Sequence, residues 1–158
     1  MKQEDIIKKA YDLFSSFERP MLFTRLNEND VDPEAMDHDN SLKNTTRRNL
    51  SVSQLGPVGY SPVPNFSSQA MAYFLPRLIE FAVKNISDLD GDPYIIRFIN
   101  STLSGPSNKQ FILLNDQHRG IVYQTLLYAK ENYYQIIENE CWAGDLEETL
   151  IKWKDNDF

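Results

Sequence analysis

Residues 55–85 read LGPVGYSPVPNFSSQAMAYFLPRLIEFAVKN, and the two halves of this stretch obey different rules. The first half carries Pro57, Pro62 and Pro64 with Gly56 and Gly59. Prolines fix φ and withhold amide donors, so this half is a stiff loop rather than a helix or a sheet strand. The second half opens on Ser67 and Ser68, both good helix N-caps. Behind them Ala70, Met71, Phe74, Leu75, Leu78, Ile79, Ala82 and Val83 recur at helical spacing. A face that broad is stable only inside a core. The helix is therefore expected to be the central packing element, with the loop lying across the core surface it anchors. Pro76 interrupts the helical run, which predicts a kink or a break into two helices.

Outward from this stretch the pattern remains helical. Residues 3–17 place Ile6, Ile7, Ala10, Leu13, Phe14 and Phe17 on one face, and Pro20 ends the segment. Asp92-Pro93 starts a helix running to about Leu103, with Ile95, Ile96 and Ile99 inward and Ser104-Gly105-Pro106 as its stop. Asn115 or Asp116 caps the longest helix, roughly 116–138, through Ile121, Val122, Thr125, Leu126, Ala129, Tyr133, Ile136 and Ile137. Leu146, Leu150 and Trp153 share one face of a final helix over 145–154. Strand alternation is weak throughout. The expectation is a mainly α, compact single domain spanning 1–158, a bundle of about five helices with a long irregular loop region between the first and second. That irregular region, residues 27–49, is rich in Asn and Asp, with one helical turn expected after Asp32-Pro33.

The chain has 158 residues, an apolar fraction of 41%, a charged fraction of 25% and a formal net charge of −7. These values describe a globule with a real core. No apolar run reaches the ~20 residues that cross a bilayer. One cysteine, Cys141, and an amphipathic rather than secretory N-terminal segment favour the cytoplasm. The negative charge repels phosphate backbones, so direct nucleic-acid binding is not expected, nor is membrane binding. The same charge would speed encounter with a basic protein.

No phosphate-binding glycine loop, nucleophile elbow, HExxH or zinc-ribbon spacing occurs. Asp37-His38-Asp39, preceded by Asp30, Asp32 and Glu34, is the densest group of possible ligands or acid–base residues. It lacks a recognisable ligand spacing, so neither metal nor cofactor is expected. Asp88-Leu89-Asp90-Gly91-Asp92 opens like a calcium loop, but an EF-hand frame from Asp88 meets Pro93 where Gly belongs and Ile99 where Glu belongs. A turn followed by an N-cap is the expected structure. Cys141 is expected to be a partly buried structural residue. Arg47 and Arg48, and Gln117-His118-Arg119, are basic spots that can grip an anion or bridge loop to core. Tyr60 and Phe66 bracket the stiff loop, either as interface anchors or folded over the central helix.

The middle of the chain, roughly residues 20–84, resembles a group of small, largely uncharacterised bacterial proteins. The resemblance rests on Phe23-Thr24, Asp37-His38-Asp39, Leu42, Thr46, Leu55-Gly56-Pro57-Val58-Gly59-Tyr60-Ser61-Pro62, Ala70 and Tyr73-Phe74-Leu75-Pro76. Members of that group often carry Cys-x-x-Cys ahead of the histidine, which implies a metal site; here Asp32 to Glu34 stand in that place without a cysteine. In general character the chain also resembles immunity proteins of bacterial toxin systems, which are small, acidic and without catalytic signatures. That resemblance implies a protein that binds and covers a basic toxin domain, such as a nuclease. The interface residues expected on this reading are Asp30, Asp32, Glu34, Asp37, Asp39, Tyr60, Glu147 and Glu148, with no catalytic residue. The alternatives are a small metal-dependent or acid–base enzyme using Asp37, His38 and Asp39 with Arg47 and Arg48, and a structural or regulatory protein. On the interface reading, the acidic stretches Glu28 to Asp39 and Glu138 to Asp157 are expected to meet on one side of the domain.

Overall fold

A computed structural model describes residues 1–154 and shows a mainly α architecture of six α-helices joined by short 3₁₀ turns. They are α1 (Gln3–Leu13), α2 (Pro33–Leu42), α3 (Ser68–Lys84), α4 (Tyr94–Thr102), α5 (Asp116–Asn139) and α6 (Ala143–Trp153). The central element is α3, which contacts α1, α4, α5 and the 3₁₀ turn Lys109–Phe111. It starts where expected: Ser67 Oγ accepts from the Ala70 amide at 3.1 Å. Every residue of its expected apolar face is buried, and Tyr73, Pro76 and Phe81 are buried with them. Among the described residues no helix is long and apolar enough to cross a membrane.

Pro76 does not break α3, which runs 17 residues without interruption. The ring removes one amide donor and crowds the preceding turn. An outside donor serves that turn: Arg47 Nε bonds the Tyr73 carbonyl, and the Arg47 amide bonds the Tyr73 hydroxyl at 2.9 Å. The Arg47 Nη2 also donates to the carbonyls of Phe14 at 2.8 Å and Phe17 at 3.1 Å. Those acceptors lie just beyond α1, which ends at Leu13 rather than at residue 17. Residues 14–17 form a turn whose carbonyls look to Arg47 instead of to a further helical turn.

The stiff loop does lie across the core. Leu55, Val63 and Phe66 are buried, and the Phe66 ring stacks on Phe74 with centroids 5.6 Å apart. Arg97 Nη1 and Nη2 hold the carbonyls of Gly56 and Leu55, each at 2.9 Å. Gly56 has φ +64°, and a Cβ there would meet the Tyr60 carbonyl oxygen at 2.5 Å, so only glycine suits this corner.

Four further expectations change. The region expected to be irregular contains a full helix, α2, of 10 residues. At α4 the cap position is Pro93 itself, because the Asp92 carbonyl is committed to the Asp88 amide at 2.8 Å. Cys141 is exposed, at φ 65° in the turn between α5 and α6, and Ile136 is exposed near the end of α5. Leu146, Leu150 and Trp153 of α6 are buried as expected, with Trp153 Nε1 donating to the Thr102 carbonyl at 2.7 Å.

Candidate functional site

The helix α2 forms because Asp32 and Pro33 begin it well. The Asp32 carboxylate accepts from the amides of Glu34 at 2.9 Å and Ala35 at 3.4 Å, and Pro33 occupies the first helical position, where no donor is needed. Ala35, His38, Asp39 and Leu42 turn inward; Glu34, Met36 and Asp37 turn outward. One helix therefore splits the Asp37-His38-Asp39 triplet between two environments.

Asp39 is the buried member. Its Oδ1 accepts from the amides of Phe23 at 2.8 Å and Thr24 at 2.9 Å, and its Oδ2 pairs with Arg25 Nε at 2.6 Å. Burial pushes its carboxyl upward, but Arg25 and the Thr24 and Phe23 donors outweigh it and hold the group below the usual carboxylate range. Asp39 thus fastens α2 to the 23–25 segment and does not belong to an exposed interface, a correction to the residue set expected from sequence.

His38 is buried, with its Nε2 3.5 Å from Glu34 Oε1 and without a hydrogen bond among the described residues. The Tyr60 ring covers it, centroid to centroid 4.8 Å. The Tyr60 hydroxyl donates to Asp37 Oδ2 at 3.1 Å. Tyr60 is nonetheless 43% exposed, so a partner can reach one face of the ring. Partial covering, the Asp37 bond and the charges of Asp37, Glu34 and Asp32 all raise its phenol. Of the acids expected beside Tyr60 on the interface reading, the structure places Asp32, Glu34 and Asp37 near its hydroxyl. Asp30, half-buried just ahead of α2, accepts the Asp32 amide on Oδ1 at 3.1 Å.

This face differs from other acidic surface in what balances it. Among the described residues, Glu28, Asp30, Asp32 and Asp37 have no Lys or Arg within salt-bridge distance. Glu147 and Glu148 on α6 are each matched, to Lys130 at 2.7 Å and to Lys152 at 2.9 Å. The two acidic stretches also have separate neighbours. α2 is held by residues 23–25, Gln54 and Tyr60, whereas α6 is held by α5, α4 and Phe111. Asp155 and Asp157 of the second stretch lie outside the described residues.

The acidic face has apolar company that the sequence reading missed. Leu26 and Val31 lead into α2 almost fully exposed, and Met36 and Val58 are exposed beside Asp37 and Tyr60 in the chain. The signal was present as lone apolar residues within an Asn/Asp-rich run, but periodicity does not detect them.

The basic spots singled out in the sequence, Arg47, Arg48 and His118, serve separate structural tasks. Arg47 is committed to three carbonyls, and Arg48 lies over the Tyr11 ring at 4.0 Å. His118 joins α5 to the end of α1: its Nδ1 accepts from the Asn115 amide at 3.2 Å, so Nε2 carries the proton and donates to the Leu13 carbonyl at 2.8 Å. No family model matches the chain, and comparison with curated proteins and with solved structures returned no match.

Proposed function

We propose that this chain is a protein-binding module of the cytoplasm whose working face is the outer side of α2 with Tyr60. Its partner presents a basic surface, and in the sharpest form it is the toxin domain of a bacterial toxin–immunity pair, such as a basic nuclease. The chain acts by covering that domain's active site rather than by chemistry of its own. The observation carrying this reading is the exposed Tyr60 ring, held at 3.1 Å by Asp37, which like Asp32 has no Lys or Arg within salt-bridge distance among the described residues. Exposed ion pairs contribute little affinity, whereas a held aromatic ring loses little freedom on docking and supplies the anchor. The unbalanced carboxylates supply steering. Leu26, Val31, Met36 and Val58 add apolar area that water solvates poorly.

The test is surface plasmon resonance against the product of the neighbouring gene. Association should slow several-fold between about 0.05 and 0.5 M salt, because charge steering acts on encounter. D32K/D37K should lower the on-rate about tenfold, and Tyr60→Ala should raise the off-rate about tenfold. E147K/E148K should leave both rates unchanged, since those charges are already paired. Salt-independent binding with neither α2-face variant altered would remove this face from the mechanism, and no binding at all would remove the pairing.

A further inference from the structure

The turn between α3 and α4 holds a second acidic group, away from α2. Asn85 ends α3 in the left-handed conformation, and an isolated antiparallel bridge between Ser87 and Pro93 closes the loop. The Asp88 amide bonds the Asp92 carbonyl at 2.8 Å, and Gly91, at φ +79°, turns the chain between them. One carboxylate oxygen from each of Asp88, Asp90 and Asp92 lies within 4.8 Å of the other two. Oxygens on opposite sides of a calcium ion stand about 5 Å apart, twice the Ca–O distance of ~2.4 Å. The spacing of the three oxygens is of the size that a calcium shell spans.

Three acids in a turn are ordinary on a protein surface. Asp88 is not ordinary: its side chain has 0% exposure. It is aimed into the loop, with Oδ1 accepting from the amides of Asp90 and Asp92, each at 2.9 Å. Its Oδ2 is buried and has no hydrogen bond among the described residues. The nearest cation is Arg97, whose Nη1 stands 3.8 Å away, beyond hydrogen-bond reach. Arg97 already donates from Nη1 and Nη2 to Gly56 and Leu55. A buried carboxylate oxygen left without a hydrogen-bond donor is costly, and a bound cation offsets that cost.

We propose that Asp88, Asp90 and Asp92 form a divalent-cation site with a preference for calcium. The donors are hard oxygens without His or Cys, which suits calcium, magnesium or manganese rather than zinc. The exposed side of the turn, formed by Asp90 and Asp92, leaves room for water to complete six to eight ligands, the flexible shell that calcium accepts. Magnesium demands a tighter octahedron and sheds its water reluctantly. Because the frame is not an EF-hand, the affinity belongs to the weak class, Kd about 10⁻⁴–10⁻³ M. An ion there would steady Asp88 beside Arg97, and through Arg97 the loop that carries Tyr60. The site is independent of the partner-binding reading.

The test uses the full chain stripped with chelator and titrated calorimetrically with CaCl₂, and separately with MgCl₂, in about 0.15 M KCl. The expected result is one calcium per chain, magnesium at least about tenfold weaker, and a melting temperature raised by millimolar CaCl₂ but not by KCl of equal ionic strength. D90N/D92N, at two exposed positions, should keep the helical circular dichroism and weaken calcium at least about tenfold. D90N alone provides the same reading if the double variant does not fold. D30N/D32N should bind calcium as the parent does. Absence of calcium heat up to about 5 mM overturns the site. So does binding that is undiminished in D90N, and magnesium binding equal to calcium overturns the preference.

Discussion

Asp37 and Asp39 stand two positions apart on α2, and their side chains meet different solvents. Asp39 is buried against Arg25 and the Phe23 and Thr24 amides; Asp37 reaches only the exposed Tyr60 hydroxyl. Removing one member of a buried, hydrogen-bonded charge pair costs about 3–5 kcal/mol, because the other member is left uncompensated. Asp39→Ala should therefore lose about that much in a urea melt, whereas Asp37→Ala should stay within about 0.5 kcal/mol of the parent. Equal effects of the two would mean that Asp39 does not anchor α2. The residue types and helical spacing of this triplet were plain in the sequence. Which of its carboxylates is buried was not, because the deciding partners, Phe23, Thr24 and Arg25, come from a segment that helical periodicity does not place.

At the scale of elements, α3 runs unbroken through its internal proline, and a residue far away in sequence bonds the preceding turn. Arg47 supplies donors to the Tyr73, Phe14 and Phe17 carbonyls and lies over the Tyr73 ring at 4.6 Å. Each donor lost from a partly buried carbonyl costs about 1 kcal/mol or more, so Arg47→Met should destabilise by about 2–4 kcal/mol in chemical unfolding. Arg47→Lys should rescue little, since one ammonium cannot reproduce a planar fork serving three acceptors. Full recovery by Lys would show that charge rather than geometry matters there. The proline predicted a kink or a break into two helices, and α3 has no break. It gave no notice of the arginine that bonds the turn before it.

For the whole molecule, the response to acid follows from how α1 and α3 are joined. The Tyr11 hydroxyl donates to Glu80 Oε2 at 2.6 Å, Arg77 approaches the same oxygen at 2.9 Å, and Lys84 takes Oε1 at 2.8 Å. Burial pushes the Glu80 carboxyl up, but the Lys84, Tyr11 and Arg77 bonds overcome it and bring the value down from 4.5 to about 2. The network's contribution is thus complete above pH 4.5 and is lost as pH falls from there towards about 2. Asp39, also depressed, acts in the same direction. Glu80→Gln should be less stable at neutral pH by up to about 3 kcal/mol and should flatten the loss of stability below pH 4.5. An unchanged acid limb in urea melts collected across that range would count against the assignment.

The sequence by itself determined the helical class, the central helix with its start at Ser67 or Ser68, the buried faces of most helices and the stiffness of the loop across them. These follow from local rules: periodicity decides which side of a helix avoids water, and capping residues decide where it starts. The tertiary structure alone decided which acids are held inside, which are matched by lysines and which face outward unbalanced. It also decided that Phe66 folds inward while Tyr60 stays at the surface, and that Asp88 is buried while Asp90 and Asp92 are exposed. A carboxylate has the same formula in all these places. Its energy depends on the donors that other segments bring to it, and those meet only when the chain has folded.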